Sequence, residues 1–581
     1  MPTHRLRFVP LLRPPALASL IVLCSLGTTG VRSQAADLPR RPHELFQSPI
    51  VRPSPFVHST STAATVPFGR FTSIQVNVDP TGANILGDAA NEPSIAVDPT
   101  NPSRMAIGWR QFDTVQSTFR EAGVGYTTNG GLTWVAGKVD PGMLRSDPVL
   151  ASDALGKFFF MSATIQSGHI VTQLNSSTNQ GATWGPAVPA FGGDKEWVAI
   201  DRTEGPGRGF IYETWSEDSI TFSRSIDGGQ TFQSPTPIPS VPLQGTIDVG
   251  PDGTVYVVGT PDFVSYAVAR STNAQIATQT PTFTTVPVNL GGSPRFGSPN
   301  GSGSTGGLLG QPWIAVDRSA ARYGWIYVLC SVQRPNDPMD VMFIRSTDGG
   351  QTWSSPVRVN NDSGNRAYQW FGTMSVAPNG RIDAVWNDTR GQGRKTKSAL
   401  FYSYSNDGGV TWSANEQASP VWDSSVGFSP PGMTKIGDYY HMISDNSGAD
   451  LAWAATFNGE HDVYYMRIPG PSAMVAEQAP ARSVEEGAAQ FRLLRNSPNP
   501  FASSTTIDFV MPSSGGWARV EVFDAGGRRV TTLLDGFVKA GPQTVRWTGA
   551  DDVGHPVDSG VYLCRIEAAG TSKTLKLMLM R

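Results

Sequence analysis

The chain has 581 residues, more than one ordinary core accommodates, so two or more domains are expected. Charged residues make up 16%, the formal net charge is -3 and no long basic run is present, which argues against a nucleic-acid partner. Abundant Gly (62), Pro (45) and Trp (15) suit many short strands joined by turns, not helices.

The N-terminus carries Arg5, Arg7 and Arg13, an apolar stretch over 16–26, and a small-x-small site at Ser33-Gln34-Ala35. That order predicts a secretory signal peptide over 1–35 and a secreted or outer-surface location in a bacterium. The apolar run is shorter than the roughly 20 residues a membrane span takes, and no later segment is long enough. Leu23 before Cys24 is not the small residue of a lipoprotein site. Cys330 and Cys564 fall in different candidate domains with no Cys-His pattern nearby, so neither a disulfide framework nor a zinc site is expected. Both read as buried small hydrophobes. No metal or other cofactor is expected; a structural calcium ion is compatible with the chain, but nothing in it indicates one.

Residues 36–70 read as an extended N-terminal segment, followed by a strand at 71–78 (FTSIQVNV). One grammar then repeats seven times. First strands start at Glu92, Asp147, Lys195, Gln244, Gln311, Gln369 and Ile436. Apolar second strands follow, such as MAIGWRQF (105–112) and FFFMSATI (158–165), and third strands such as VMFIRS (341–346) close each copy. Seven copies predict a β-propeller of seven four-stranded blades over 71–470, with six blades as the alternative. The seventh copy stops at Gly470 without a fourth strand, so 71–78 is expected to supply it and close the ring.

A turn motif ends most third strands: STDGGQTW (346–353), SNDGGVTW (405–412), SIDGGQTF (225–232), TTNGGLTW (127–134) and STNQGATW (177–184), with Ser271-Thr272-Asn273 a decayed copy. The Asp or Asn side chain accepts backbone N–H bonds of its own turn, Gly supplies positive φ, and the aromatic packs back on the sheet. Asn129, Asn179, Asp227, Asp348 and Asp407 are therefore structural rather than catalytic. The repeat resembles the Asp-box, or bacterial neuraminidase repeat, of the sialidase-like propellers, over roughly 71–469. Sialidases of that family are six-bladed, and Asp-boxes also occur in propellers that are not sialidases.

Residues 471–490 are Ala, Glu and Ser rich and read as a linker. The remainder, 491–581, carries Asn496-Ser497-Pro498-Asn499-Pro500-Phe501 and then alternating strands separated by Gly and Pro turns, the pattern of a small antiparallel, immunoglobulin-like β-sandwich. It resembles the C-terminal sorting domain of type IX secretion substrates, related to a flagellar-hook-cap-like immunoglobulin module. That resemblance implies passage to the cell surface and a contact with secretion machinery. An ordinary accessory sandwich is the bland alternative.

In a propeller, the starts of first strands and the ends of second strands ring the channel, on the face opposite the repeated turns. First-strand starts place Glu92, Asp147, Lys195, Glu196, Trp197, Gln311, Trp313, Trp370, Asp438 and Tyr439 there; second-strand ends add Arg110, Asp113, Glu217, Asp218, Asp262, Arg334, Asn387, Asp388 and Arg390. Guanidinium forks bind carboxylates in pairs. Resemblance to sialidases implies Arg110, Arg334 and Arg390 on a ligand carboxylate, Tyr439 with Glu217 as nucleophile pair, and Asp147 as acid. This assignment follows blade position, and the N-terminal Arg-Ile-Pro signature of sialidases is missing near the first blade. Binding of a glycan or an extracellular protein at the channel face is the leading expectation; exo-α-sialidase or other glycosidase activity is the alternative. The Gly/Ser-rich segment 291–310 reads as an insertion on the channel face.

Overall fold

A computed structural model describes residues 52–53, 58–216, 221–240, 244–297, 308–427, 436–471, 492–511, 516–539, 541–568 and 571–581. The signal-peptide reading, the interior of the Gly/Ser-rich insertion and Glu217 and Asp218 lie outside these residues. The chain divides into two compact units, Met1–Met474 and Val475–Arg581. Among the described residues, no helix is long and apolar enough to cross a membrane.

The first unit is built from antiparallel sheets, most strands pairing with a sequence neighbour. Seven sheets radiate from seven inner strands: Ala89–Val97, Ser146–Ser152, Trp197–Ile200, Ile247–Val249, Trp313–Val316, Gln369–Val376 and His441–Asp445. Each inner strand touches the next, and the seventh touches the first, so the strands close a ring. This is an all-β propeller, and the sheets are numbered below as blades 1 to 7. Closure removes exposed sheet edges. Second strands are apolar on both faces because each blade is packed between two others; Met105–Phe112 and Gly448–Ala455 are buried along their whole length.

The ring is closed by the N-terminal segment. Phe71–Gln75 pairs with Asp462–Pro469, with Ile74 opposite Tyr465. Thr65–Phe68 then adds a fifth strand outside it, so the propeller begins before residue 71. Blade 3 has three strands, its fourth reduced to a bridge between Phe222 and Thr236.

The repeated turns sit at the ends of third strands. In the clearest copy Asp348 Oδ1 accepts from Ser346 Oγ and from the N–H groups of Gln351 and Thr352, at 2.8 to 3.0 Å, and its second oxygen accepts from Thr352 Oγ1. These donors hold the Asp348 carboxyl low, near 2, first through the Thr352 hydroxyl. Asp227 and Asp407 repeat the pattern, and Asn129 and Asn179 accept from the N–H of Thr133 and Thr183. Asn273, the decayed copy, reaches nine residues ahead to the N–H of Thr282.

One local feature aims side chains at the axis. Several inner strands enter with a β-bulge, where an extra residue is left outside the ladder. Glu92, Asp147 and Phe371 hold left-handed backbone at these bulges, and Lys195 and Gln244, just ahead of the inner strands of blades 3 and 4, hold it too, φ 49° to 58°. Such a conformation costs a non-glycine residue of order 1–3 kcal/mol, so its recurrence at the inner-strand entry of five blades marks a constraint imposed by the ring.

The second unit is a sandwich of two antiparallel sheets. One holds Arg492–Ser497, Thr505–Met511 and Gly541–Trp547; the other holds Gly516–Asp524, Arg529–Val538, Gly560–Ala568 and Thr571–Leu579. Alternate residues such as Ile507, Phe509, Val520, Val522, Cys564, Ile566 and Leu577 form its core, around Trp547. Cys564 is buried here and Cys330 is buried in the propeller.

Candidate functional site

Two layers of side chains fill the centre of the propeller. The lower layer comes from the first residues of the inner strands Trp197–Ile200, Trp313–Val316 and His441–Asp445. Trp197 of blade 3, Trp313 of blade 5 and His441 of blade 7 meet there, with ring centroids 4.9 to 5.5 Å apart, and Tyr439 stacks edge-on against Trp197 at 5.3 Å. Blades 3, 5 and 7 are not neighbours, so their side chains meet only across the bore. The bore is thus closed by an aromatic plug. His441 Nδ1 lies 2.8 Å from Ser94 Oγ and accepts from the N–H of Ile95, and burial pushes the ring's pKa down to about 3, so the imidazole is neutral.

The upper layer is charged. Lys195 Nζ lies 2.8 Å from Asp147 of blade 2, 2.6 Å from Asp438 of blade 7 and 3.6 Å from Asp194. Arg110 of blade 1 lies 3.1 Å from Glu92 and 3.9 Å from Asp147, and its Nε also donates to Asn91 Oδ1 at 2.8 Å. Arg120 Nε donates to Ser146 Oγ, which donates to Asp147 Oδ1. Two cations and four carboxylates thus tie blades 1, 2, 3 and 7 together. Burial alone would lower the Lys195 pKa, but Asp147, Asp194 and Asp438 outweigh it and hold the ammonium charged. Burial raises the Glu92 carboxyl well above its ordinary range despite the pull of Arg110.

The arginines expected to form a clamp are each committed elsewhere. Arg110 belongs to this central hub, fully buried. Arg334 Nη1 pairs with Asp340 at 2.7 Å, and Arg390 Nη2 with Asp388 at 2.7 Å. Arg334 and Arg390 do share one network between blades 5 and 6. It runs from Asp340 through Asn360 Nδ2, which donates at 2.6 Å to both Asp340 and Asp362, to Arg390, 3.9 Å from Asp362. Arg390 also donates to Asn361 and Asn415 and covers the Phe401 ring at 4.4 Å. It fastens the loop after its own strand.

Tyr439 reaches the ring, but as a donor: its hydroxyl gives a 2.9 Å bond to Pro148 O. Burial, then Glu92 and Asp147, push its pKa well up, opposite to what a phenolate nucleophile needs. Its expected partner Glu217 lies outside the described residues. Trp370 is not on the channel face. The blade 6 bulge falls at Phe371, two residues beyond the Gln369 start read from the sequence, so Trp370 turns away, packs on Trp422 at 5.8 Å and donates to Ser398 Oγ. Asp388 accepts from Arg390 and Trp386, and Asn387 donates to the Tyr440 hydroxyl. Asp113 pairs with Lys138, and Asp262 caps its own exposed turn through Val264 and Ser265.

Three polar groups escaped notice because their chemistry comes from neighbours distant in sequence. Glu213 on blade 3 accepts from Thr172 of blade 2, and burial pushes its carboxyl up to about 7. Asp462 is likewise pushed by burial to about 7, at the seam where the N-terminal strand closes the ring. Asp88 beside that seam is also raised, by burial and then by Asp462. Among the described residues, no group of three His, Cys, Asp or Glu side chains converges as a metal site would require.

Comparison with known proteins adds the following. Residues 499–572 match the FlgD Ig-like domain family. No curated protein matches the chain. Among solved structures, a protein of unknown function from Dyadobacter fermentans DSM 18053 is similar at 12% identity, covering 68% of this chain and 98% of that one, TM-score 0.37. A Trypanosoma rangeli sialidase in complex with the inhibitor DANA is similar at 11% identity, covering 88% and 89%, TM-score 0.36. An α-L-arabinofuranosidase of Fusarium graminearum in complex with an iminosugar inhibitor is similar at 12% identity, covering 68% and 97%, TM-score 0.37. Likeness at this level says nothing of what this chain binds.

Proposed function

We propose that this propeller binds glycans at its channel face without cleaving them, outside the cell. The observation that carries the reading is the commitment of Arg110, Arg334 and Arg390 to separate carboxylate partners, Glu92, Asp340 and Asp388. A clamp for a ligand carboxylate needs guanidinium forks held ready and unpaired. A fluorogenic α-sialoside tests it: no release of fluorophore above buffer is expected from the purified full chain, and steady turnover would overturn the non-catalytic reading.

The C-terminal unit is proposed to direct the chain to the outer surface. The support is the Ig-like family match over 499–572 together with the Asn496–Phe501 motif just ahead of its first long strand. Deleting 493–581 is expected to leave a folded propeller that no longer reaches the surface or medium of the native host; normal delivery of the truncated chain would refute the assignment.

A further inference from the structure

Three segments meet where blades 5 and 6 adjoin on the channel face, and they bring cations without counter-ions. Arg295 lies just past Ser293, which bridges to Gln333 in the second strand of blade 5. Tyr368 stands directly ahead of the inner strand of blade 6, and Lys395 lies in the loop after that blade's second strand. Residues 289–297, 363–368 and 389–397 carry Arg295, Arg366, Arg390, Arg394, Lys395 and Lys397 and neither Asp nor Glu. The carboxylates of the same seam are already engaged. Asp340, Asp362 and Asp388 face Arg334, Arg358 and Arg390, and Asp337 accepts from the N–H of Met339.

Arg295 Nη2 and Lys395 Nζ both donate to the Tyr368 hydroxyl, at 3.2 and 3.3 Å. Each cation also lies 5.1 Å from the centre of the Tyr368 ring, within reach of its π-face. The two charges are therefore no further apart than these two bonds laid end to end. Among the described residues neither forms an ion pair. Arg295 Nη1 reaches only Pro338 O, at 3.5 Å, and its Nε is buried without a partner. Like charges this close repel, and a single buried phenol gathers them. The hydroxyl's own proton goes to no acceptor among the described residues. Three donors thus surround one point that no protein anion fills. Lys395 is exposed and Arg295 half-buried, so a ligand reaches them from solvent.

We propose that Arg295, Tyr368 and Lys395 form an anion subsite for a polysaccharide, taking a sulfate ester or a uronate carboxylate carried on the sugar chain. The proposal rests on the glycan-binding reading above and adds the ligand's charge to it. None of Arg110, Arg334 and Arg390 takes part. An oxyanion seated here pairs with both cations, accepts from the phenol and removes the repulsion between the two charges. Arg366, close before Tyr368, and Arg394, beside Lys395, are exposed, so the next charged unit of a repeating polymer meets further cations.

The test is titration calorimetry of the full chain with neutral dextran, mannan and galactan, with dextran sulfate and with polygalacturonate. Tighter binding of a charged polymer than of any neutral one is expected, and which charged polymer binds tells sulfate ester from carboxylate. Lys395→Met and Arg295→Met should each weaken that binding about tenfold, the scale of one lost charge-assisted bond. Tyr368→Phe leaves the net charge unchanged and should weaken it about fivefold, the scale of one neutral bond. Lys573→Met, an exposed site in the C-terminal unit, removes the same charge as Lys395→Met and should leave binding unaltered. The Tm of Lys395→Met should match the parent chain, since its side chain is exposed. Charged polymers bound no tighter than neutral ones, Lys395 and Arg295 variants that bind like the parent, or an equal loss in Lys573→Met would overturn the subsite while leaving glycan binding intact. Binding to none of the polysaccharides would overturn both.

Discussion

Replacing Lys195 by Met removes the charge that joins three blades while keeping most of the side chain's volume. Asp147 and Asp438 lose an ammonium at 2.8 and 2.6 Å and remain buried. Stripping one partner from a buried ion pair costs about 3–5 kcal/mol, because the charge left behind has neither water nor a counter-ion. The two carboxylates share that loss, since Arg110 lies 3.9 Å from Asp147 and Leu308 N–H donates to Asp438. We therefore expect Lys195→Met to cost about 3–5 kcal/mol in urea unfolding followed by tryptophan fluorescence, to which Trp197 and Trp313 contribute. Adding Asp438→Asn should recover part of the loss by removing one stranded charge. A cost below about 1 kcal/mol, or a double variant less stable than the single one, would refute the view that this hub locks the ring.

Other outcomes follow from the same geometry. Glu213 and Asp462 hold protons in the folded state up to about pH 7, whereas in the unfolded chain they titrate near 4.5 and 3.8. Their stabilisation is complete below the unfolded values and is lost as pH rises through 7. Unfolding free energy should thus fall between pH 5 and 8, and Glu213→Gln should flatten the slope; a rise over that range would contradict the burial of both groups. Arg390→Ala should lower stability by about 1–2 kcal/mol, since Asp388 keeps the Trp386 and backbone donors but loses its charged one, and glycan binding should be unchanged. Asp348→Ala should cost about 1 kcal/mol in thermal unfolding, because its bonds are local and exposed to water, and should leave binding unaltered.

How much of this was legible in the residues differs by element. The turn at 346–353 is written locally: Asp348, two glycines and Trp353 within eight residues specify a conformation, so its bonding was readable without any neighbour. The second and third strands were readable because burial on both faces demands continuous apolar runs. The closing strand at 71–75 was readable from a deficit, a seventh repeat one strand short. The fifth strand at 65–68 was not, because an edge strand carries no burial pattern, and Thr65–Phe68 alternates exposed and half-buried positions.

The site was settled by tertiary structure. A bulge moves one residue and turns every side chain after it, so Phe371 rather than Gln369 sets the blade 6 entry and Trp370 leaves the ring. The arginines at second-strand ends were visible, but their partners lie on loops and strands whose proximity only the closed ring decides. Asp438 reaches Lys195 from 243 residues away, and the residues between them do not show which of several carboxylates an ammonium meets. Composition and periodicity are local and survive in the chain; charge pairing depends on distance in space, which seven packed blades determine together.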